Sequence, residues 1–275
     1  MELINMKVVI LCGGKGTRLR EETEYKPKPM VEIGGRPVLW HIMKLYAYYG
    51  HKDFVLCLGY KGNVIKEYFL NYEFMNSDFT VRLGAKNTVV THNGHEEDWN
   101  VTLADTGLDT PKGGRLLRVW PYLKDESEFM LTYGDGIADV NIDQLVEHHR
   151  TEGRIVTFTG VRPRSRFACV RISNDGSVVG WKEKKRLKNF INGGFFVFRP
   201  EIFEYLTDDT ELEEKPLEKL AHIGQVSMYK HHGFWECMDT YRDYKHLNDL
   251  YDKGTRPWAV WNQQECLTTI TEISV

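Results

Sequence analysis

Residues 6–30 read Met-Lys-Val-Val-Ile-Leu-Cys-Gly-Gly-Lys-Gly-Thr-Arg-Leu-Arg-Glu-Glu-Thr-Glu-Tyr-Lys-Pro-Lys-Pro-Met, and their order decides the fold. The run over 6–12 is almost continuously apolar, the pattern of a strand buried on both faces of a sheet. It leads straight into Gly13, Gly14 and Gly16. In open α/β sheets ligands bind beyond the carboxyl ends of such strands, and glycines there expose backbone N–H groups that cradle anions. The loop is not the dinucleotide fingerprint, because Leu19 holds the third glycine position. Nor is it a Walker A loop, because Lys15 is followed by Gly16 and not by Ser or Thr. Beside the glycines stand Lys15, Arg18, Lys26 and Lys28, with Pro27 and Pro29 stiffening the chain around Lys28. A lysine fixed next to an anion cradle suits phosphate. Arg20 and Glu21 read as solvated.

Outward from this segment, strand and helix alternate as in a doubly wound sheet. Pro37 opens a helix over 36–50 that carries Leu39, Ile42, Met43 and Tyr46 at helical spacing and stops at Gly50. A second buried strand spans 53–58, with a returning helix over 61–70. A third covers 128–132 and ends in Tyr133-Gly134-Asp135-Gly136, followed by a helix over 142–150. Beyond Arg154 the rhythm weakens into β-rich runs at 155–161, 168–172, 177–181 and 195–198, with helices near 200–206, 216–223 and 240–253. No repeat or low-complexity linker divides the chain. The expected organisation is one domain over 6–261, in halves 6–150 and 151–261 sharing a sheet, with 262–275 an unassigned tail.

Composition excludes several classes of function. The 36 Lys and Arg against 39 Asp and Glu give a net charge of −3, so a basic nucleic-acid binder is not expected. With 41% hydrophobic residues the chain can bury a full core. No apolar run approaches the roughly 18–20 residues that cross a bilayer, and Met1–Asn5 has no basic region before an apolar segment, so it does not read as an export signal. Cys12, Cys57, Cys169, Cys237 and Cys266 are scattered, with no Cys-x-x-Cys pair, which fits a reducing cytoplasm. Cys12 and Cys57 read as small buried apolar residues.

Asp135 ends a strand between two glycines that let a ligand approach the backbone, a useful place for a metal ligand. A second carboxylate must come from elsewhere, and spacing does not choose it: Asp239 reads equally as the N-cap of the helix that begins near Thr240. Glu236 and Asp139 are weaker candidates. The pairs His148-His149 and His231-His232 lack the i, i+4 spacing that puts two ligands on one helical face, and read as packing histidines. Tyr46, Tyr48, Tyr49, Tyr68, Phe69, Tyr72 and Phe74 fit core or subunit packing.

Gly13-Gly14-x-Gly16-Thr17-Arg18-Leu19 followed by Pro27-Lys28-Pro29-Met30 resembles the signature of the sugar-1-phosphate nucleotidyltransferases. The resemblance extends over about 6–261, through Met30 to Gly35, Leu39 to Met43, Trp99 to Leu103, Asp105-Thr106-Gly107, Gly113 to Leu116, Tyr133 to Gly136, Ile191 to Phe196 and Met238-Asp239-Thr240. It implies a Rossmann-like α/β nucleotidyltransferase fold: a mixed, mostly parallel sheet flanked by helices, with a β-rich sugar-binding portion. It implies that Leu11, Cys12, Gly13, Gly14, Lys15, Gly16, Thr17, Arg18, Lys28, Gly113, Arg115 and Gly134 bind the nucleotide. By the same resemblance Glu183, Lys184, Asn192 and Gly193 take the sugar phosphate. Asp239 becomes the second ligand, with Asp135, of Mg2+. Arg18, Lys28, Asp135 and Asp239 are then the catalytic set.

Trp99 to Gly107 is shared most with cytidylyl-transferring members, which implies CTP and glucose 1-phosphate as substrates, nucleotide-sugar biosynthesis of the kind that feeds lipopolysaccharide O-antigen, and a homo-oligomer. The chain departs from the family at Lys112, where a small hydroxyl residue is common, at Lys185 after Glu183-Lys184, and at Lys215 before Pro216. A thymidylyl or uridylyl enzyme, and a non-catalytic regulatory paralogue that binds nucleotide sugars, are the alternatives. A dehydrogenase is disfavoured by Leu19.

Overall fold

A computed structural model describes residues 5–84, 88–93, 97–165, 167–182 and 186–262. The side chains of Arg20 and Glu21, expected to be solvated, lie outside the described set, as do Glu183, Lys184, Lys185 and the tail from residue 263.

Among the described residues eight strands form the central sheet. Four run parallel, in the spatial order Asn100–Asp105, Asp53–Leu58, Val8–Cys12 and Phe129–Tyr133. The sheet continues through Phe196–Phe198, antiparallel to Phe129–Tyr133, and then Val156–Val161, with Ile191–Asn192 antiparallel and Val226–Lys230 parallel to it. Strands from both halves of the chain thus share one sheet, as the absence of a linker implied. The resulting architecture is the expected mixed α/β fold with a mostly parallel sheet.

The apolar run of Val8–Cys12 follows from its central position, since all five residues are buried. Val8, Ile10 and Cys12 enter one core with Ile42, Met43 and Tyr46 of the Val38–Tyr48 helix, while Val9 and Leu11 enter a second core with Leu116 and Phe196. Each fully buried aliphatic side chain stabilises the fold by about 1.5–3 kcal/mol, so the strand has no solvent face to mark with polar residues. The expected helix over 36–50 is the Val38–Tyr48 helix; Pro37 precedes it and pairs with Glu32 in a short strand.

Between Ile191–Asn192 and Phe196–Phe198 the register breaks. Asn192 opposes Gly160 while Val197 opposes Thr157, so five steps on one strand face three on the other and Gly193–Phe195 swells out as a wide bulge. Gly194 (φ 78°) and Phe195 (φ 49°) carry the left-handed turn. Phe195 is held in this uncommon conformation by its fully buried ring, stacked 5.9 Å from Tyr46, and by its carbonyl, which accepts from Thr159 Oγ1 at 3.0 Å.

Two further two-stranded ribbons pair Asp78–Arg82 with Thr88–His92 and Cys169–Ile172 with Val178–Lys182. Both leave apolar side chains in solvent, among them Val90, Ile172, Val178 and Trp181.

Candidate active site

The carboxyl ends of the two central strands open into a cleft of about 820 Å³ lined by Leu11, Cys12, Gly13, Gly14, Arg18, Lys28, Gly134 and Asp135 and by Asn192, Trp235, Cys237 and Asp239 from the later part of the chain. It lies where open α/β sheets bind ligands.

Local structure explains how two distant acids meet. The Phe129–Tyr133 strand ends at Gly134, and the Gly136–Ala138 strand that follows pairs antiparallel with Trp235–Cys237, Gly136 opposite Cys237. Met238 N donates to Asp135 O at 2.9 Å, which extends the ribbon one residue to Asp135 on one strand and brings Asp239 alongside. The cap of the following helix is Thr240, whose hydroxyl accepts from Asp243 N in a reciprocal capping box over Tyr241–Asp252. The N-cap reading of Asp239 is therefore overturned, and its carboxylate is free of that task.

Lys28 sits in a short helical turn, Lys28–Met30, and its side chain is largely buried. Its Nζ lies 2.6 Å from Asp135 Oδ2 and 2.5 Å from Asp239 Oδ1. Arg18 NH1 approaches the other oxygen of Asp239 at 2.8 Å. Burial alone would lower the Lys28 pKa, but the neighbouring Asp135 charge and the bonds to both acids outweigh it and leave the pKa raised, so the ammonium persists. The Cys237 sulphur, Asp135 and Asp239 offer donor atoms within 4.8 Å of one another. Burial and the Asp135 charge push the Cys237 thiol up.

Of the residues expected at the nucleotide, Leu11, Cys12, Gly13, Gly14, Arg18, Lys28, Arg115 and Gly134 line the cleft, whereas Lys15, Gly16, Thr17 and Gly113 do not. Lys15 pairs with Asp109 at 2.6 Å on the surface. Gly113 is buried, and its N–H donates to Thr210 O at 2.9 Å. Arg115 reaches the cleft wall from a buried position. It is 5% exposed, and its guanidinium donates to Leu58 O, Thr106 Oγ1, Gly107 O, Gly13 O and Leu108 O at 2.7–3.3 Å. It staples the glycine loop to two neighbouring strand ends. A Cβ on Gly13 would fall 2.1 Å from Arg115 Cζ, so glycine is required there to make room for the guanidinium.

Of the two bulge residues expected at the sugar phosphate, Asn192 lines the cleft, whereas Gly193 is buried and does not. Asn192 Nδ2 donates to Tyr133 Oη at 2.9 Å, and Trp235 Nε1 donates to Gly193 O at 2.8 Å. Tyr133 in turn donates to Glu213 Oε1 at 2.5 Å, and Glu213 pairs with Lys112 at 2.7 Å. Burial and Glu213 raise the Tyr133 phenol, which keeps it a donor. The sequence singled out Lys112 only as a departure from a family pattern; Tyr133, Glu213, Trp235 and Cys237 were missed as cleft residues, because their partners come from remote segments. Glu183 and Lys184, expected at the sugar phosphate, lie outside the described residues. Glu236 also lines the cleft. Asp139 instead accepts from Phe234 N at 2.7 Å and pairs with His231 at 2.9 Å. His149 and His231 are buried packing histidines, and none of the four paired histidines joins a metal-sized cluster among the described residues. No helix among the described residues is long and apolar enough to cross a membrane.

The comparisons with known proteins agree with this geometry. A family model described as nucleotidyl transferase matches residues 7–252. A glucose-1-phosphate cytidylyltransferase of Salmonella typhimurium is 49% identical over 258 residues, covering 93% of this chain and all of the relative. A probable glucose-1-phosphate cytidylyltransferase of Bacillus subtilis is 45% identical over the same shares. Among solved structures, HddC from Yersinia pseudotuberculosis has the same fold, with a TM-score of 0.66 at 21% identity over 90% of this chain and 99% of that one.

Proposed function

The chain belongs to the nucleotidyl transferase family, and on that premise we propose that it transfers the cytidylyl group of CTP to α-D-glucose 1-phosphate, releasing pyrophosphate and forming CDP-glucose. The observation that carries the reading is the meeting of Lys28, Arg18, Asp135 and Asp239 at the mouth of the glycine loop. The choice of cytosine and glucose is supported by the two relatives named for that activity at 45–49% identity.

The phosphate of a sugar 1-phosphate has a second pKa near 6 (~6 for a phosphomonoester), so at neutral pH it is already an anionic nucleophile and needs no general base. Attack in line on the α-phosphorus expels pyrophosphate. The protein's task is to position two polyanions and offset their repulsion. Gly13 and Gly14 receive the triphosphate, Lys28 stabilises charge at the α-phosphorus, and Arg18 holds the departing pyrophosphate. Arg115 acts one step removed by fixing the loop. Asn192 and Gly193, braced by Tyr133 and Trp235, orient the hexose, and Glu183 and Lys184 complete the acceptor end.

Asp135 and Asp239 would hold Mg2+. Their hard carboxylate oxygens fit that ion, and the Lys28 ammonium lying between them marks the place as one built for positive charge. When bound, the ion supplies charge neutralisation at the phosphate oxygens. We place the protein in the cytoplasm and infer a homo-oligomer whose contacts use the apolar ribbons of Asp78–Arg82 with Thr88–His92 and of Cys169–Ile172 with Val178–Lys182.

The test is a matrix of five nucleoside triphosphates against several sugar 1-phosphates, read by pyrophosphate release with Mg2+. CTP with glucose 1-phosphate is expected to turn over fastest. Preference for dTTP or UTP overturns the base assignment, and no release with any pair overturns the enzymatic reading.

A further inference from the structure

The side chain of Cys237 has no part in the chemistry above. It follows Glu236 on the Trp235–Cys237 strand, opposite Gly136, lines the cleft, and is a free thiol of intermediate exposure. Its sulphur and one oxygen each of Asp135 and Asp239 all lie within 4.8 Å of one another, close enough for small side-chain rotations to bring the three to one ion. The Lys28 ammonium, 2.6 and 2.5 Å from the two carboxylates, shows that a cation is accommodated where they meet.

Two carboxylates alone make a hard site that suits Mg2+. A thiolate alters that preference: Mg2+ gains little from sulphur, whereas Zn2+, Cd2+ and Co2+ bind it well, Zn2+ at about 2.3 Å. We propose that Cys237 is a third donor to the divalent cation held by Asp135 and Asp239, which makes this centre a high-affinity site for thiophilic metal ions. As the metal–sulphur bond forms, the S–H bond breaks, its electron pair stays on sulphur and the proton passes to buffer; no oxidation state changes. The centre then has two tiers: Mg2+ occupies it through oxygen alone, and a thiophilic ion at much lower concentration displaces Mg2+ by adding sulphur. The inference rests on the proposed assignment of Asp135 and Asp239 to metal.

The experiment is a Co2+ titration of the full chain carrying Cys169→Ser and Cys266→Ser, followed by optical absorption, with Zn2+ affinity read by displacement of Co2+ and Mg2+ affinity by calorimetry. A thiolate-to-cobalt charge-transfer band is expected, lost in Cys237→Ser and in Cys237→Ala. The same substitutions are expected to weaken Zn2+ binding at least about tenfold and to leave Mg2+ affinity unchanged, with circular dichroism confirming the fold of each variant. Co2+ binding without the band, or a band that survives both substitutions, overturns the role of Cys237 and leaves the carboxylate pair intact as the Mg2+ site. Absence of any divalent-ion binding, or binding unaltered by Asp135→Asn with Asp239→Asn, overturns the metal assignment itself.

Discussion

Lys28 and Asp239 stand 211 residues apart in the chain and meet in a 2.5 Å ion pair. The contact closes the cleft from both ends of the sequence, and Asp135 joins the same ammonium at 2.6 Å. Replacing Lys28 with Met keeps most of the side-chain volume and removes the charge. Turnover is expected to fall about 100- to 1,000-fold, the effect of losing one positioned donor at a transition-state oxygen. The melting temperature should also fall, because two partly buried carboxylates lose the ammonium between them, and Mg2+ should raise it more in Lys28→Met than in the parent. Pyrophosphate release and thermal melts measure both; near-normal turnover in a folded variant rejects the role of Lys28.

Gly13 and Arg115 are coupled by volume. Gly13→Ala pushes a methyl group into the guanidinium, and Arg115→Ala strands the loop oxygens that the guanidinium satisfies. Arg115→Ala is expected to cost at least about 2 kcal/mol, since hydrogen bonds to charged groups are the stronger kind. The two changes together should cost less than their sum, with a coupling of about 0.5–3 kcal/mol. Urea denaturation of the two single variants and the double variant decides it, and strict additivity would show that the loop does not depend on this contact.

Trp235 braces the bulge at the proposed acceptor end. Trp235→Phe deletes the 2.8 Å bond to Gly193 O while keeping an aromatic ring. The lost bond is worth about 1 kcal/mol, a rise of roughly fivefold in KM for the sugar phosphate, with KM for CTP unchanged. Equal rises in both constants would place Trp235 outside the acceptor site.

Burial lowers His41, His51 and His149 to about 4 each. His51 shows the cause plainly, because its Nδ1 accepts a hydrogen bond from Met6 N at 3.1 Å and cannot do so when protonated. The unfolded chain binds these protons from the ordinary value of about 6.5, so the unfolded state holds more protons than the folded one between there and about 4. Stability is therefore full above about pH 6.5 and declines as pH falls, by about 1.4 kcal/mol per histidine for each pH unit in that window. His51→Gln, which keeps an acceptor for Met6 N, should remove about a third of the slope in urea midpoints between neutral pH and about pH 5. An unchanged slope would show that His51 titrates alike in both states.

Legibility from sequence tracked burial. The strand at Asp53–Leu58 was readable to its ends, because a strand covered on both faces leaves an unbroken apolar run. Asn100–Asp105 forms an edge of the sheet and is mixed in composition, so only its likeness to a family motif drew notice. The ribbon of Asp78–Arg82 and Thr88–His92 is almost wholly exposed and carries no alternation imposed by a core. At the site, the glycine loop, Lys28 and Asp135 were legible from local spacing. Arg115 was legible as a cation near the loop but not as its staple, because a sequence reports charge and not the gap that Gly13 leaves for the guanidinium. Asp239 could not be told from an N-cap until Thr240 and Asp243 were seen to form the capping box themselves.

The pairing of the Gly136–Ala138 and Trp235–Cys237 strands joins residues that leave the ribosome far apart in time. The phosphate loop emerges first, yet its lysine has no second carboxylate to meet until translation has passed residue 239. On the proposed assignment, a product truncated ahead of that ribbon keeps the glycine loop and Lys28 but lacks the Asp239 that completes the set.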